Sequence, residues 1–173
     1  EQVGAVLYTL TLLNKPATVN VTPHLKLDVS NKDSNWNKPF TKAKASSVEE
    51  NQILHHSEVL KTGFQLCTFN SSKLVLNEKN SPLKGTPLKN KTKVGISYNV
   101  PMNSGDRLSI TTFGGYINSL DSPEENLKIK AKKIIQNVEK IGFESLLEQQ
   151  QREWGKIWRH SDIVIKGDIC AQQ

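Results

Sequence analysis

The spacing of the apolar residues changes once along this chain, near residues 117–121. From Val3 to about Tyr116 they fall in short runs or alternate with polar residues. That is the period of a strand, whose successive side chains point to opposite faces. After Ser119 they recur three and four residues apart, the period of a helix with one buried stripe. A chain patterned this way folds as a strand-built body followed by helices. The strand regime reads as VGAVLYTLTLL (Val3–Leu13), TVNVTPHLKLDV (Thr18–Val29, interrupted at Pro23), NQILHHSEVLKT (Asn51–Thr62), GFQLCTF (Gly63–Phe69), SKLVLN (Ser72–Asn77), KVGISYNV (Lys93–Val100) and DRLSITTFGGYI (Asp106–Ile117). Turn chemistry separates them: NKPA with Pro16, the Asn/Asp/Ser-rich Val29–Pro39, and NSGD at Asn103–Asp106. FGGY (Phe113–Tyr116) suits a bulge or a strand end. Many short strands without intervening helices predict an antiparallel sandwich or barrel.

The helical regime opens on DSPEEN (Asp121–Asn126). Ser122 is placed to cap, Pro123 to take the first helical position, and Glu125 to reach back as a capping box. Leu127, Ala131, Ile134, Ile135 and Val138 then form one stripe, the lysines fall mainly on the other side, and Gly142 is a stop. A second helix carries Phe143, Leu146, Leu147, Gln150, Trp154, Ile157 and Trp158 along one face. Trp154 and Trp158 are thus i, i+4 neighbours.

Composition removes several function classes. At 173 residues the chain holds one domain, or one domain with an appendage. Hydrophobic residues at 36% and charged residues at 23% fit a soluble globular protein, and no run has the length of a membrane span. The net charge of +6 concentrates in Lys84–Lys93 and Lys128–Lys133, without interleaved aromatics for base stacking. These read as a solvated loop and a solvated helix face, so neither nucleic acid nor membrane is an expected partner. Two cysteines, Cys67 and Cys170, exclude a disulfide-dense scaffold, and no ligand spacing for zinc occurs. Residue 1 is Glu within strand-like sequence, and DICAQQ at the other end lacks a helix stop. Both ends read as cut, which leaves localisation open: the cytoplasm is favoured over the periplasm or secretion.

Few residues suggest chemistry. His55 and His56, adjacent in a strand, point to opposite faces and cannot share a metal. Asp162 and Asp168 resemble a carboxylate pair, but six residues of extended chain set them too far apart for a retaining glycosidase. Capping of the helix end by Asp162, and a turn at Gly167 with Asp168, are the simpler roles. The sequons at Asn20, Asn70 and Asn90 matter only in a secretory context.

The tail GFESLLEQQQREWGKIWRHSDIVIKGDICAQQ (Gly142–Gln173) resembles the segment joining the N-terminal and catalytic domains of glycoside hydrolase family 65. Trp154, Trp158, Ser161, Asp162, Ile163, Gly167, Asp168 and a terminal Gln172 or Gln173 carry the likeness. Val19–Trp36 and Asp106–Asn126 agree more loosely with a sandwich strand and its loop, and with the last strand before the linker. The family holds maltose, trehalose and kojibiose phosphorylases and some trehalose hydrolases. The resemblance implies a mutarotase-like supersandwich, present here in part over residues 1–120. It further implies a helical linker over 121–160 and the start of an (α/α)6 barrel over 161–173. It implies a non-catalytic part of an enzyme that cleaves α-glucosidic disaccharides, foremost an inverting phosphorylase. Such an enzyme has no cofactor and uses inorganic phosphate as co-substrate, with a barrel glutamate beyond this chain as general acid. A hydrolase parent or a stand-alone carbohydrate-binding module are the alternatives. The implied partners are the chain's own catalytic barrel, the parent enzyme's α-glucoside and a second copy in a homodimer. Trp154, Trp158, Asp162 and Asp168 are then expected to dock the barrel.

Overall fold

Alternating apolar residues make a strand two-faced, and the central strand of this molecule uses both faces. The computed structural model describes residues 3–30, 39–80, 83–161 and 167. Its large antiparallel sheet is built from β1 (Val3–Thr11), β4 (Thr41–Glu49), β5 (Gln52–Val59), β6 (Gln65–Leu76), the short β7 (Lys79–Asn80) and β10 (Arg107–Asn118). The strand order is β1-β10-β6-β5-β4, with β7 beside β6. A smaller sheet centres on β9 (Lys93–Met102), which pairs with β2 (Ala17–Val21), β3 (His24–Lys26) and β8 (Thr86–Lys89).

On β6, Leu74 faces the small sheet while Cys67 and Phe69 face the opposite way. Between the sheets Ile53, Leu74, Leu108 and Ile110 meet Val94, Ile96, Tyr98, Val100 and Met102 from β9. Every second residue of β9 is buried, as the period-two pattern requires. The other face of the large sheet is covered by α1 (Leu127–Ile141), whose Leu127, Ala131 and Ile135 join Leu54, Cys67, Phe69 and Ile117. The result is three layers: small sheet, large sheet, helix. Polar contacts fix the helix in place. Glu139 Oε1 accepts hydrogen bonds from Ser71 Oγ and from Asn51 Nδ2, the latter at 3.1 Å. Glu49 pairs with Lys132 and with Lys128 at 3.1 Å, and those two contacts hold its carboxyl below the usual carboxylate range.

The chain is mainly β with a C-terminal helical part, as the change of period predicts. The buried stripe of α1 and its stop also agree: Gly142 takes φ +81° and its N–H returns to the Val138 carbonyl at 2.9 Å. Several local expectations do not hold. Gly63–Phe69 and Ser72–Asn77 are not two strands, because Asn70-Ser71-Ser72 continues the ladder within β6. FGGY lies inside β10 with unbroken register; the irregularity is in β4, between Ala43 and Ala45. Part of the lysine-rich segment is strand β8. Ser122 caps nothing: a 3₁₀ turn (Glu124–Asn126) precedes α1, and the buried Ser122 hydroxyl has no partner among the described residues. Pro123, not Ser122, stands at the start of the turn: its ψ of 144° is extended, so it is the last residue before the 3₁₀ turn and Ser122 lies one position too early to cap.

Candidate functional site

The second helix, α2 (Phe143–Ser161), differs from the first in having no buried residue. Its stripe meets β1 only through its first half. Phe143, Leu146, Leu147, Gln150 and Trp154 line a groove of about 570 Å³ with Val3, Gly4 and Ala5 of β1. From Trp154, at the end of that groove, onward the same stripe faces solvent. Trp154 is 49% exposed, Ile157 51% and Trp158 56%. The i, i+4 spacing brings the two indoles into a stacked pair, with ring centroids 6.2 Å apart and planes at 27°. Around it sit Lys156–Glu153 at 2.7 Å and Arg159 Nε, which donates to the Gly155 carbonyl at 3.0 Å. The pair therefore forms an apolar ridge with a polar rim, the composition of a contact surface rather than of a reacting centre. Asp162 and Asp168, the other two residues expected at this junction, lie outside the described residues.

A second concavity escaped the sequence. Ser46, Leu54, His56, Cys67, Glu124 and Leu127 are among the walls of a cavity of about 170 Å³ between the large sheet and the start of α1. His56 Nε2 lies 3.6 Å from Glu124 and 3.1 Å from Gln65 Oε1. A cysteine beside a histidine invites a nucleophilic reading, but burial pushes the Cys67 thiol up to about 11. The nucleophile is the thiolate, so at neutral pH this sulfur is a packing group. The volume is also well below the roughly 300–1,000 Å³ of ligand pockets. Only strand pairing of His56 with Cys67 could have revealed the cavity, and pairing is not written in a single sequence.

The adjacent histidines point to opposite faces, as expected. His56 lies on the α1 side; His55 is buried on the other, its Nδ1 2.9 Å from Ser46 Oγ. Burial lowers the affinity of His55 for a proton, and the charges of His56 and Lys89 lower it further. The unfolded chain then takes up a proton at higher pH than the folded one. Stability should be full above the unfolded value of about 6.5 and fall as pH drops through and below it. Urea midpoints measured between pH 7.5 and 5 should therefore decline on acidification, and His55→Gln should remove much of that decline. An unchanged slope in His55→Gln would assign the effect to other groups. Among the described residues no group of three or more His, Cys, Asp or Glu could hold a metal, and no helix is long and apolar enough to cross a membrane. Of the sequons, Asn70 is buried in the sheet, its side chain accepting from Ser72 Oγ at 3.2 Å.

Comparison with known proteins gives this surface a context. Residues 1–157 match the family model described as the N-terminal domain of glycosyl hydrolase family 65. The maltose phosphorylase of Bacillus subtilis (strain 168) is 25% identical over 177 residues, covering all of this chain and 22% of that protein. The alpha,alpha-trehalose phosphorylase of Thermoanaerobacter brockii is 26% identical over 80 residues, covering 46% of this chain and 10% of that protein. Among solved structures, a chain described as a kojibiose phosphorylase from human microbiome superposes with a TM-score of 0.79 at 16% identity, over 99% of this chain and 22% of that one. The chain thus spans about a fifth of the length of the first relative and of the solved neighbour.

Proposed function

The chain belongs to glycosyl hydrolase family 65, as its N-terminal domain, and from that premise we propose that it serves a disaccharide phosphorylase as a supporting, non-catalytic part. The observation that carries the reading is the alignment of the whole chain with about a fifth of a maltose phosphorylase. The proposed parent reaction is phosphorolysis of an α-glucosidic disaccharide with inversion. Inorganic phosphate supplies the attacking oxygen, so one protein carboxylic acid suffices to protonate the leaving oxygen. That acid belongs to a catalytic barrel outside this chain. Residues 1–120 form the sandwich in this reading, 121–160 the linker and 161–173 the entry to the barrel. The exposed ridge of Trp154, Ile157 and Trp158 docks the barrel, with Asp162 and Asp168 at the same junction.

The test is direct. The purified 173-residue chain, incubated with phosphate and maltose, trehalose or kojibiose, should release no glucose phosphate. Release by this chain alone would overturn the reading. A second reading rests on the stacked indoles, since an exposed tryptophan platform also suits a sugar ring. Calorimetric titration with malto-oligosaccharides separates the two: saturable binding lost in Trp154→Ala favours a carbohydrate-binding module.

A further inference from the structure

The two concentrations of lysine on this chain end up in different states. On α1, Lys128 and Lys132 are matched by Glu49, and Lys130 Nζ donates to the Asp121 carbonyl at 3.0 Å. The small-sheet layer has no such balance. Residues 17–29 and 84–102 hold Lys26, Lys84, Lys89, Lys91 and Lys93 against Asp28 alone, five positive charges less one negative, so +4 of the chain's net +6. The fold gathers four of these lysines at one end of the sheet. Leu25 and Val94 stand opposite each other and face the core, so the next pair, Lys26 and Lys93, is opposed on the outer face. Lys89 ends β8, and Lys91 stands in the turn from β8 to β9. Like charges directly opposite in an antiparallel pair repel. Only Asp28 relieves them, 3.8 Å from Lys26. Lys91 and Lys93 are exposed, and among the described residues no acidic side chain pairs with either.

We propose that this end of the small sheet binds an acidic peptide segment of a partner protein. The turn presents its charges on a fixed frame. Asn90 Oδ1 accepts from the Thr92 N–H at 2.9 Å and from the Lys93 N–H at 2.8 Å, while the Thr92 carbonyl accepts from the Leu27 N–H of the neighbouring chain segment at 2.8 Å. Little backbone order is then lost on binding, which favours affinity. The side chains select the partner. Neither segment of this layer holds an arginine, and lysine is a hydrated point charge without the planar fork that grips a phosphate in two places. Farther along the sheet, Asn20, Thr22, Ser97 and Asn99 are hydrogen-bonded to one another. This row offers no aromatic face to a base and no apolar side chain to a lipid surface. Carboxylates of an extended acidic chain need only complementary charge, which Lys26, Lys91 and Lys93 supply. The small sheet lies across the large sheet from α1, so this surface is separate from the ridge on α2.

Fluorescence anisotropy with a labelled hexaglutamate peptide tests the proposal. The 173-residue chain should bind it saturably. Binding should weaken as salt rises, because exposed charges are screened over a Debye length of about 8 Å at physiological ionic strength. Lys91→Glu combined with Lys93→Glu should weaken it by about ten-fold or more. Lys130→Glu combined with Lys133→Glu changes the net charge equally, far from the site, and should weaken it by about two-fold or less. Lys91→Arg combined with Lys93→Arg keeps the charge and should leave the affinity within about two-fold of the wild type. A wild-type chain without saturable binding overturns the proposal. So do equal losses in the two Glu pairs, which would assign the attraction to net charge alone. Tighter binding of a single-stranded oligonucleotide or of phosphatidylserine vesicles at the same salt overturns it as well.

Discussion

Phe69→Ala is expected to destabilise the chain by about 3–5 kcal/mol, the range for emptying a buried aromatic site. Phe69 is fully buried at the middle of β6, with β5 on one side and β10 on the other. Its ring is the largest side chain of the cluster it forms with Leu54, Ile117, Leu127, Ala131 and Ile135. Backbone pairing on both flanks holds the strand where it is, so the vacated space cannot close by a shift of β6. Against a total stability of about 5–15 kcal/mol the loss would be a large fraction. Chemical denaturation followed by circular dichroism measures it. Ile129→Ala is the control, on α1 but 55% exposed, and should change stability by no more than about 0.5 kcal/mol. If Phe69→Ala behaved like Ile129→Ala, α1 would not be docked on the sheet.

How much of this was legible depended on whether a residue's partner lies nearby in sequence. The stripe of α1 could be read residue by residue, because a helix buries neighbours three and four apart and Leu127, Ala131, Ile135 and Val138 carry that spacing themselves. The opposed faces of His55 and His56 followed from strand period alone. β4 escaped notice because TKAKASSVE holds few strand formers; pairing with β5 makes it a strand, and only the tertiary fold supplies that. β6 read as two strands because Asn70-Ser71-Ser72 has turn composition, yet these polar groups find tertiary partners: Ser71 on Glu139 of α1, Ser72 on Thr112 Oγ1 of β10 at 2.9 Å. The tryptophan stripe was visible in its spacing, and its exposure was expected only through the family resemblance, which makes Trp154 and Trp158 a docking element. Periodicity says which residues share a face and nothing about how much of that face is covered.

Coverage also separates the two helices. α1 places four residues in the buried layer and is tied to the sheet by Glu49 and Glu139. α2 meets the sheet only where β1 begins, and its stripe runs out into solvent. The helix before Gly142 is thus part of the sandwich core, while the helix after it departs from that core.

Trp154→Ala combined with Trp158→Ala should therefore have two different effects depending on what surrounds the chain. Here both rings are about half exposed and touch each other, so their removal should cost about 1 kcal/mol or less, most of it the stacking contact. In a longer protein that carries the proposed catalytic barrel, the same change would remove two anchors from the centre of an interface. Buried tryptophans in such positions are worth about 2 kcal/mol or more each. Scanning calorimetry on both lengths of chain reads the difference. The long form should lose several degrees in its unfolding temperature, or split one transition into two as the domains uncouple, while the short form hardly moves. Equal shifts in the two forms would mean that no partner covers the ridge, and would return the indole pair to the role of a sugar platform.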